Sequence, residues 1–444
     1  MAALLLAEFL SELGFDVLQV GPQGEISPRN PSPYDAAAFS RSTLSIDPAA
    51  LLEKDAGASL EREELLQELE ARPPASSVRA DHEFAWAAQR RLLMRAFRRC
   101  REGATPERVA LEARIDAFAR RHRDWIDRDG VYDALSALHG GSGFRDWPEI
   151  DRRLPSPRPD ERERFGRRWQ EIETRFAEEI AFHRFCQYLA HSQHEVFRRR
   201  IAPLGMQIYG DLQIGLADRD VWAFEPVFLD GYRLGAPPSR TNPAGQPWGY
   251  PVFDPDEYRD GGTSGAVLRF LRRRLDLVFD AYDGLRIDHP HGLVCPWVYR
   301  VDRGDPQAAV PQGARLFSAS GVPGHSAIAR HDIARPDQID RDQDPWADRW
   351  VRDLDPEQVD RYEILFDEVV AASKRSGAGA EAILCEVLST LPFPLERVMD
   401  RFGLGRFRVT SKLDPSDPED PYRIEAAQPP DWLMIGTHDT PSIW

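Results

Sequence analysis

The chain has 444 residues, 42% of them hydrophobic and 29% charged, with a net charge of −16. That is an ordinary globular composition with material for a large core, and its acidity argues against nucleic acid or an anionic membrane as the main partner. Four widely spaced cysteines (Cys100, Cys186, Cys295, Cys385) form no Cys-x-x-Cys pair; this gives no zinc signature and fits free thiols in a reducing compartment, the cytoplasm.

Residues 1–14 read as a helix closed by Gly14. The apolar start lacks a basic leader and runs into Glu8 and Glu12 at helical spacing, so it is not read as a signal peptide. No later stretch approaches a transmembrane length. A short strand over 15–20 is followed by a Gly/Pro loop to Pro33 that contains Ser32-Pro33-Tyr34, then by an irregular segment with Phe39, Leu44, Ile46 and Asp47. From 51 to about 200 the pattern is helical and highly charged, with Trp86, Leu92, Leu93, Met94 and Phe97 on one amphipathic face and Leu111, Ile115 and Phe118 on another. Pattern alone assigns that region no role beyond packing.

A second strand, 206–212, carries Asp211 near its end. Asp220, Trp222 and Glu225 follow, and then a loop dense in Gly, Pro and aromatics over 242–251. Trp248 in that loop is a candidate platform for a sugar ring, or else a cap over the core. After a helical run over 268–279, residues 284–289 alternate as a strand does. Leu285 and Ile287 point to one face, Arg286 and Asp288 to the other, and Pro290 ends the ladder. Arg286 beside Asp288 is expected to keep that carboxylate ionised, as a glycosidic nucleophile must be; taken alone, the pair reads first as a surface salt bridge at a strand end, and the rest of the chain shifts that reading. Residues 302–360 are rich in Asp, Arg and Pro and read as loops and short helices. The run 382–388 is almost wholly apolar around Glu386, the look of a buried parallel strand whose lone acid must face a polar cavity. A helix over 395–402 and strands over 406–413 and 432–437 complete the pattern, the last leading into His438 and Asp439.

Six strands alternating mainly with helices predict an α/β fold with a parallel sheet. Four of the strands place an acid at or near their C-terminal ends: Asp211, Asp288, Glu386 and Asp439. That is where (β/α)8 barrels keep functional residues. Two carboxyls, one ionised and one held protonated by apolar surroundings, are the glycosidase arrangement, with Asp288 suited to the nucleophile and Glu386 to the acid/base.

These residues bring the chain to a family it resembles: the 4-alpha-glucanotransferases (amylomaltase, disproportionating enzyme), glycoside hydrolase family 77 in the alpha-amylase-like superfamily. The resemblance is carried by Ser32-Pro33-Tyr34 with Phe39 and Ile46-Asp47, Tyr209-Gly210-Asp211-Leu212, Asp220-Val221-Trp222-Ala223, Gly245-Gln246-Pro247-Trp248-Gly249, Arg286-Ile287-Asp288-His289 and Thr437-His438-Asp439. It implies a (β/α)8 TIM-type barrel with a large helical insertion. In this chain the first and last strands are expected to be missing, which leaves an open six-stranded barrel. The expected division is a barrel start over 1–50, the helical insertion over 51–200, barrel core with the nucleophile strand over 201–300, a loop-rich insertion over 301–362, and barrel core with the acid/base over 363–444.

By the resemblance, Asp288 would form a covalent glucosyl intermediate and Glu386 would protonate the leaving sugar and then deprotonate the acceptor. Asp439 would hold hydroxyls of the distorted sugar with His438, His289 and Arg286 around it, and Tyr34, Asp211 and Trp248 would line subsites. The implied substrates are maltooligosaccharides and glucans derived from starch or glycogen, without metal or organic cofactor. An alpha-glucan hydrolase of the same superfamily and an inactive glucan-binding barrel remain the alternatives.

Overall fold

Six short strands lie where the sequence pattern places them: Val17–Gln19 (β1), Gln207–Leu212 (β2), Gly284–Ile287 (β3), Ile383–Cys385 (β4), Phe407–Val409 (β5) and Trp432–Met434 (β6). They are seen in a computed structural model that describes residues 2–27, 30–73, 81–102, 105–239, 242–437 and 440. The chain forms two compact units. One comprises Met1–Leu18, Pro22–Met206 and Leu216–Glu225, and the other Gln19–Gly21, Gln207–Gly215 and Pro226–Trp444.

In the second unit β2, β3 and β4 are neighbours in that order, with Asp211 opposite Arg286 across β2 and β3 and Leu384 opposite Arg286 across β3 and β4. Where β4 ends, the Phe407 N–H donates to the Val387 carbonyl, which brings in β5, and β5 pairs in parallel with β6. Two glycines set the spacing of β2 and β3. A Cβ on Gly284 would lie 2.4 Å from the Tyr209 ring, and one on Gly210 would lie 2.5 Å from the Tyr282 ring. Each tyrosine thus fills the space that the opposing glycine leaves. The helix Ala266–Ala281 buries Val267, Leu268, Leu271, Leu275 and Phe279 at helical spacing and packs against the helix Ile364–Arg375.

A second sheet in this unit departs from the sequence expectation. It is antiparallel, in the order Gln246–Tyr250, Tyr232–Ala236, Trp297–Arg300, Ala314–Arg315. Trp248 therefore stands on a strand rather than in a loop. Pro247 and Gly249 hide the strand period locally, and pairing to Tyr232–Ala236, with its register shift at Leu234/Gly235, supplies what the local pattern lacks.

The first unit is helical. The helices His82–Arg101, Pro106–Arg121, Arg123–Leu138 and Ala177–Ile201 surround a core that includes Leu92, Leu93, Phe97, Leu111, Phe182 and Phe185. The segment 41–47 is held on these helices by side chains. Gln187 accepts from the Arg41 N–H (2.8 Å) and donates to the Arg41 carbonyl (3.0 Å). Gln193 treats Asp47 the same way at 2.7 and 3.2 Å, so each amide stands in for a strand neighbour. Gln89 donates to the carbonyls of Thr43 and Ile46. Among the described residues no helix is long and apolar enough to cross a membrane.

Candidate active site

The centre of the site is Arg286, on β3, with its side chain 5% exposed. Its guanidinium meets three carboxyl groups: Asp211 on β2 at 2.5 Å, Asp288 just past β3 at 3.1 Å, and Glu386 just past β4 at 2.6 Å. The register explains the meeting. Asp211 and Leu384 both stand level with Arg286, so the carboxyls come from the same end of three adjacent strands. The Asp211 and Glu386 side chains are 2% and 3% exposed, that of Asp288 12%. Burying three acids demands a counter-charge. Burial works against the arginine's charge, yet Glu386, Asp211 and Asp288 together raise its pKa above the ordinary value.

Asp288 and Glu386 also hydrogen-bond each other. Burial and the neighbouring Glu386 push Asp288 up to about 8 against the opposing pull of Arg286. Burial raises Glu386 as well, but Arg286, the hydrogen bond from Asp288 and the nearby His289 outweigh it and hold Glu386 below its usual range. The two carboxyls therefore titrate as one pair under Arg286 and share a single proton at neutral pH. The expectation that Arg286 ionises Asp288 while apolar surroundings protonate Glu386 treats the two acids separately, whereas the guanidinium contacts both. Arg286 lies closer to Glu386 than to Asp288, and the apolar neighbours of Glu386 in sequence point into the core while its own carboxylate faces the guanidinium.

His289 completes the inner group. Its Nδ1 lies 3.5 Å from Glu386 Oε2. Its backbone is left-handed, with φ 44°, a conformation a non-glycine residue adopts only where its surroundings hold it there. Trp248 stacks on the imidazole, with centroids 4.8 Å apart and planes 25° apart. Tyr250, two residues along the same strand, lies 6.1 Å from Trp248 at 29°. On another side is His291, 6.3 Å away and nearly perpendicular. Burial pushes His291 down to about 3, and its Nε2 bonds the Thr390 carbonyl at 3.1 Å, so the ring is neutral and donates from Nε2.

Of the residues singled out in the sequence, Asp211, Trp248, Arg286, Asp288, His289 and Glu386 are thus brought together. Tyr34 lies in the other unit, in the short helix Pro33–Asp35 that Ser32 caps. His438 and Asp439 lie outside the described residues. His291 was missed in the sequence. Its only signal was its place two residues after His289. One oxygen or nitrogen each from Asp288, His289 and Glu386 lie within 4.8 Å of one another, a set that could face a cation; Arg286 already brings a fixed positive charge to both carboxyls.

Chemically, two buried carboxyls that share one proton, beside a fixed guanidinium, can supply a nucleophile and an acid to one bond. One oxygen of each lies within 4.8 Å of the other, nearer the roughly 5–5.5 Å of a retaining pair than the roughly 6.5–9.5 Å that an inverting pair leaves for water.

Comparison with known proteins bears on the same point. A family model described as 4-alpha-glucanotransferase matches residues 2–444. The 4-alpha-glucanotransferase of Thermus thermophilus is 31% identical over 301 residues, covering 65% of this chain and 54% of that protein. That of Aquifex aeolicus is 29% identical over 300 residues, covering 65% and 55%. The fold is shared with an amylomaltase from Streptococcus agalactiae solved in complex with acarbose, with a TM-score of 0.73 and 17% identity over 99% of this chain and 75% of that one. Amylomaltase from Corynebacterium glutamicum follows at 0.67 and 19%, over 99% and 51%. The fold is thus of the TIM-barrel type, as expected from the sequence, and the chain spans about half the length of the curated relatives it matches.

Proposed function

Because the chain belongs to the 4-alpha-glucanotransferase family, glycoside hydrolase family 77, we propose that it moves a segment of an alpha-1,4-glucan onto the 4-hydroxyl of an acceptor glucan. Donors and acceptors are maltooligosaccharides and glucans derived from starch or glycogen, and the setting is the cytoplasm, where four free thiols persist. The observation that carries the reading is the hydrogen-bonded Asp288–Glu386 pair on adjacent strands under one guanidinium.

The reaction is a retaining double displacement. The Asp288 carboxylate attacks the anomeric carbon as the glycosidic bond breaks, and Glu386 gives its proton to the departing oxygen. The acceptor's 4-hydroxyl then loses its proton to Glu386 and attacks the glucosyl ester, releasing Asp288. The first step needs the pair's proton on Glu386. One shift along the hydrogen bond from Asp288 to Glu386 delivers it and frees the nucleophile at the same time. Arg286 contacts both carboxyls, so the charge it balances moves by only a few ångströms during the shift. Tyr34, Asp211, Trp248, His289 and His438 are assigned to sugar binding and Asp439 to the hydroxyls of the distorted ring.

A 5-fluoro-alpha-glucosyl fluoride, which forms the ester quickly and turns over slowly, tests the assignment by mass spectrometry of the digested protein. A glucosyl adduct on the peptide carrying Asp288 is expected. An adduct on any other acid refutes the nucleophile.

A further inference from the structure

Trp248 is far from the carboxyl pair in sequence, yet its ring does not stand open as a free platform. It lies against the His289 imidazole at 4.8 Å, with a tilt of 25°. His289 in turn has an unfavourable left-handed backbone, a side chain 35% exposed, and its Nδ1 3.5 Å from the Glu386 carboxylate. An imidazole on a strained backbone at a strand end stays in one rotamer only if packing fixes it. The packing comes from two sides. His291 is itself pinned through Thr390 and lies edge-on, and Trp248 is the broad face. Trp248 is fixed in its turn by its strand. Gly235 pairs with Pro247, and Leu234 with Tyr250, on either side of it.

We propose that Trp248 is a positioning residue for catalysis: it acts through His289, holding the imidazole against Glu386 so that the acid/base stays aimed at the departing oxygen. This rests on the reading of Glu386 as acid/base and adds to it a role that a sugar platform would not have. A platform binds donor and acceptor and moves KM. A residue acting through His289 moves the protonation step.

The test uses Trp248→Leu, which keeps apolar bulk and loses the ring, and Trp248→Phe, which keeps a ring to stack. Both are assayed on maltotriose and on alpha-maltosyl fluoride, whose fluoride leaves without a proton, after circular dichroism shows native helix content. With the leucine variant, kcat on maltotriose is expected to fall roughly tenfold to a hundredfold, within the range general acid catalysis supplies. On the fluoride it should fall less than about threefold, and the phenylalanine variant should recover most of the loss. Adding Trp248→Leu to His289→Ala should cost no more than His289→Ala alone, because residues acting in series do not add. A rise in KM on both donors with kcat intact, or additive losses in the cycle, overturns the positioning role while leaving the transferase reading in place. A wild-type chain that turns over neither donor overturns the transferase reading instead.

Discussion

Arg286→Met is the perturbation that most tests why three buried acids are tolerated. Methionine fills much of the arginine's volume but brings no charge. Asp211, Asp288 and Glu386, now bound at 2.5, 3.1 and 2.6 Å, would lose their common cation. Removing one partner of a buried ion pair costs about 3–5 kcal/mol; here one removal strips three acids, so the upper end is expected at pH 7.5. The sign with pH follows from linkage. Without Arg286 the buried acids have pKa values raised above those of the unfolded chain, so the folded variant holds extra protons and its stability falls as pH rises, by about 1.4 kcal/mol per unit for each proton. The gap between wild type and variant is therefore wide at pH 7.5 and narrow at pH 5. Amide exchange of peptides covering 283–289 reads it locally, and a loss of protection of roughly two to four orders of magnitude is expected at pH 7.5. Adding Asp211→Asn should restore part of it. Full protection in the Met variant, or a loss that is the same at both pH values, would refute the counter-charge argument.

The pH profile follows from the shared proton. With Asp288 at about 8 and Glu386 held low, the singly protonated pair spans neutral pH; kcat/KM should stay level there and fall about tenfold per unit above pH 8 as the last proton leaves. A profile flat to about pH 10 contradicts a pair with that ionisation. Asp288→Asn should abolish turnover with the fold intact, and Glu386→Gln should slow maltotriose far more than alpha-maltosyl fluoride; equal losses on both donors would remove Glu386 from the acid role. Gln187→Leu orphans the buried N–H and carbonyl of Arg41, at about 1–3 kcal/mol for each group. Thermal unfolding should shift down by several degrees, and an unchanged midpoint would mean that water takes over both bonds.

The parallel strands were legible because each is a short apolar run with a breaker close by. The dense run around Glu386 and the alternation through Arg286 and Asp288 depend on burial that any barrel strand shares. The acids were legible because they end those strands. The sheet holding Trp248 was not. Its strand contains Pro247 and Gly249 and is defined by an antiparallel partner instead of by its own period. The sharing of Arg286 by both carboxyls was hidden for a related reason. Local sequence shows what flanks Glu386 but not that Arg286, a hundred residues earlier, reaches it more closely than it reaches Asp288. The contact between Trp248 and His289 was equally invisible, since no periodicity links a strand of one sheet to the end of a strand in another. In the helical unit the amphipathic faces were legible but the use of Gln187 and Gln193 was not, since each reads as an ordinary polar helix residue until the backbone of 41–47 is laid beside it.

Product analysis of the purified chain with maltotriose goes most directly to the claim of glucan transfer. Transfer predicts glucose together with a ladder of maltodextrins longer than the donor, growing as free glucose accumulates. Glucose and maltose in equal amounts, with nothing longer than maltotriose, would contradict it and identify water as the acceptor.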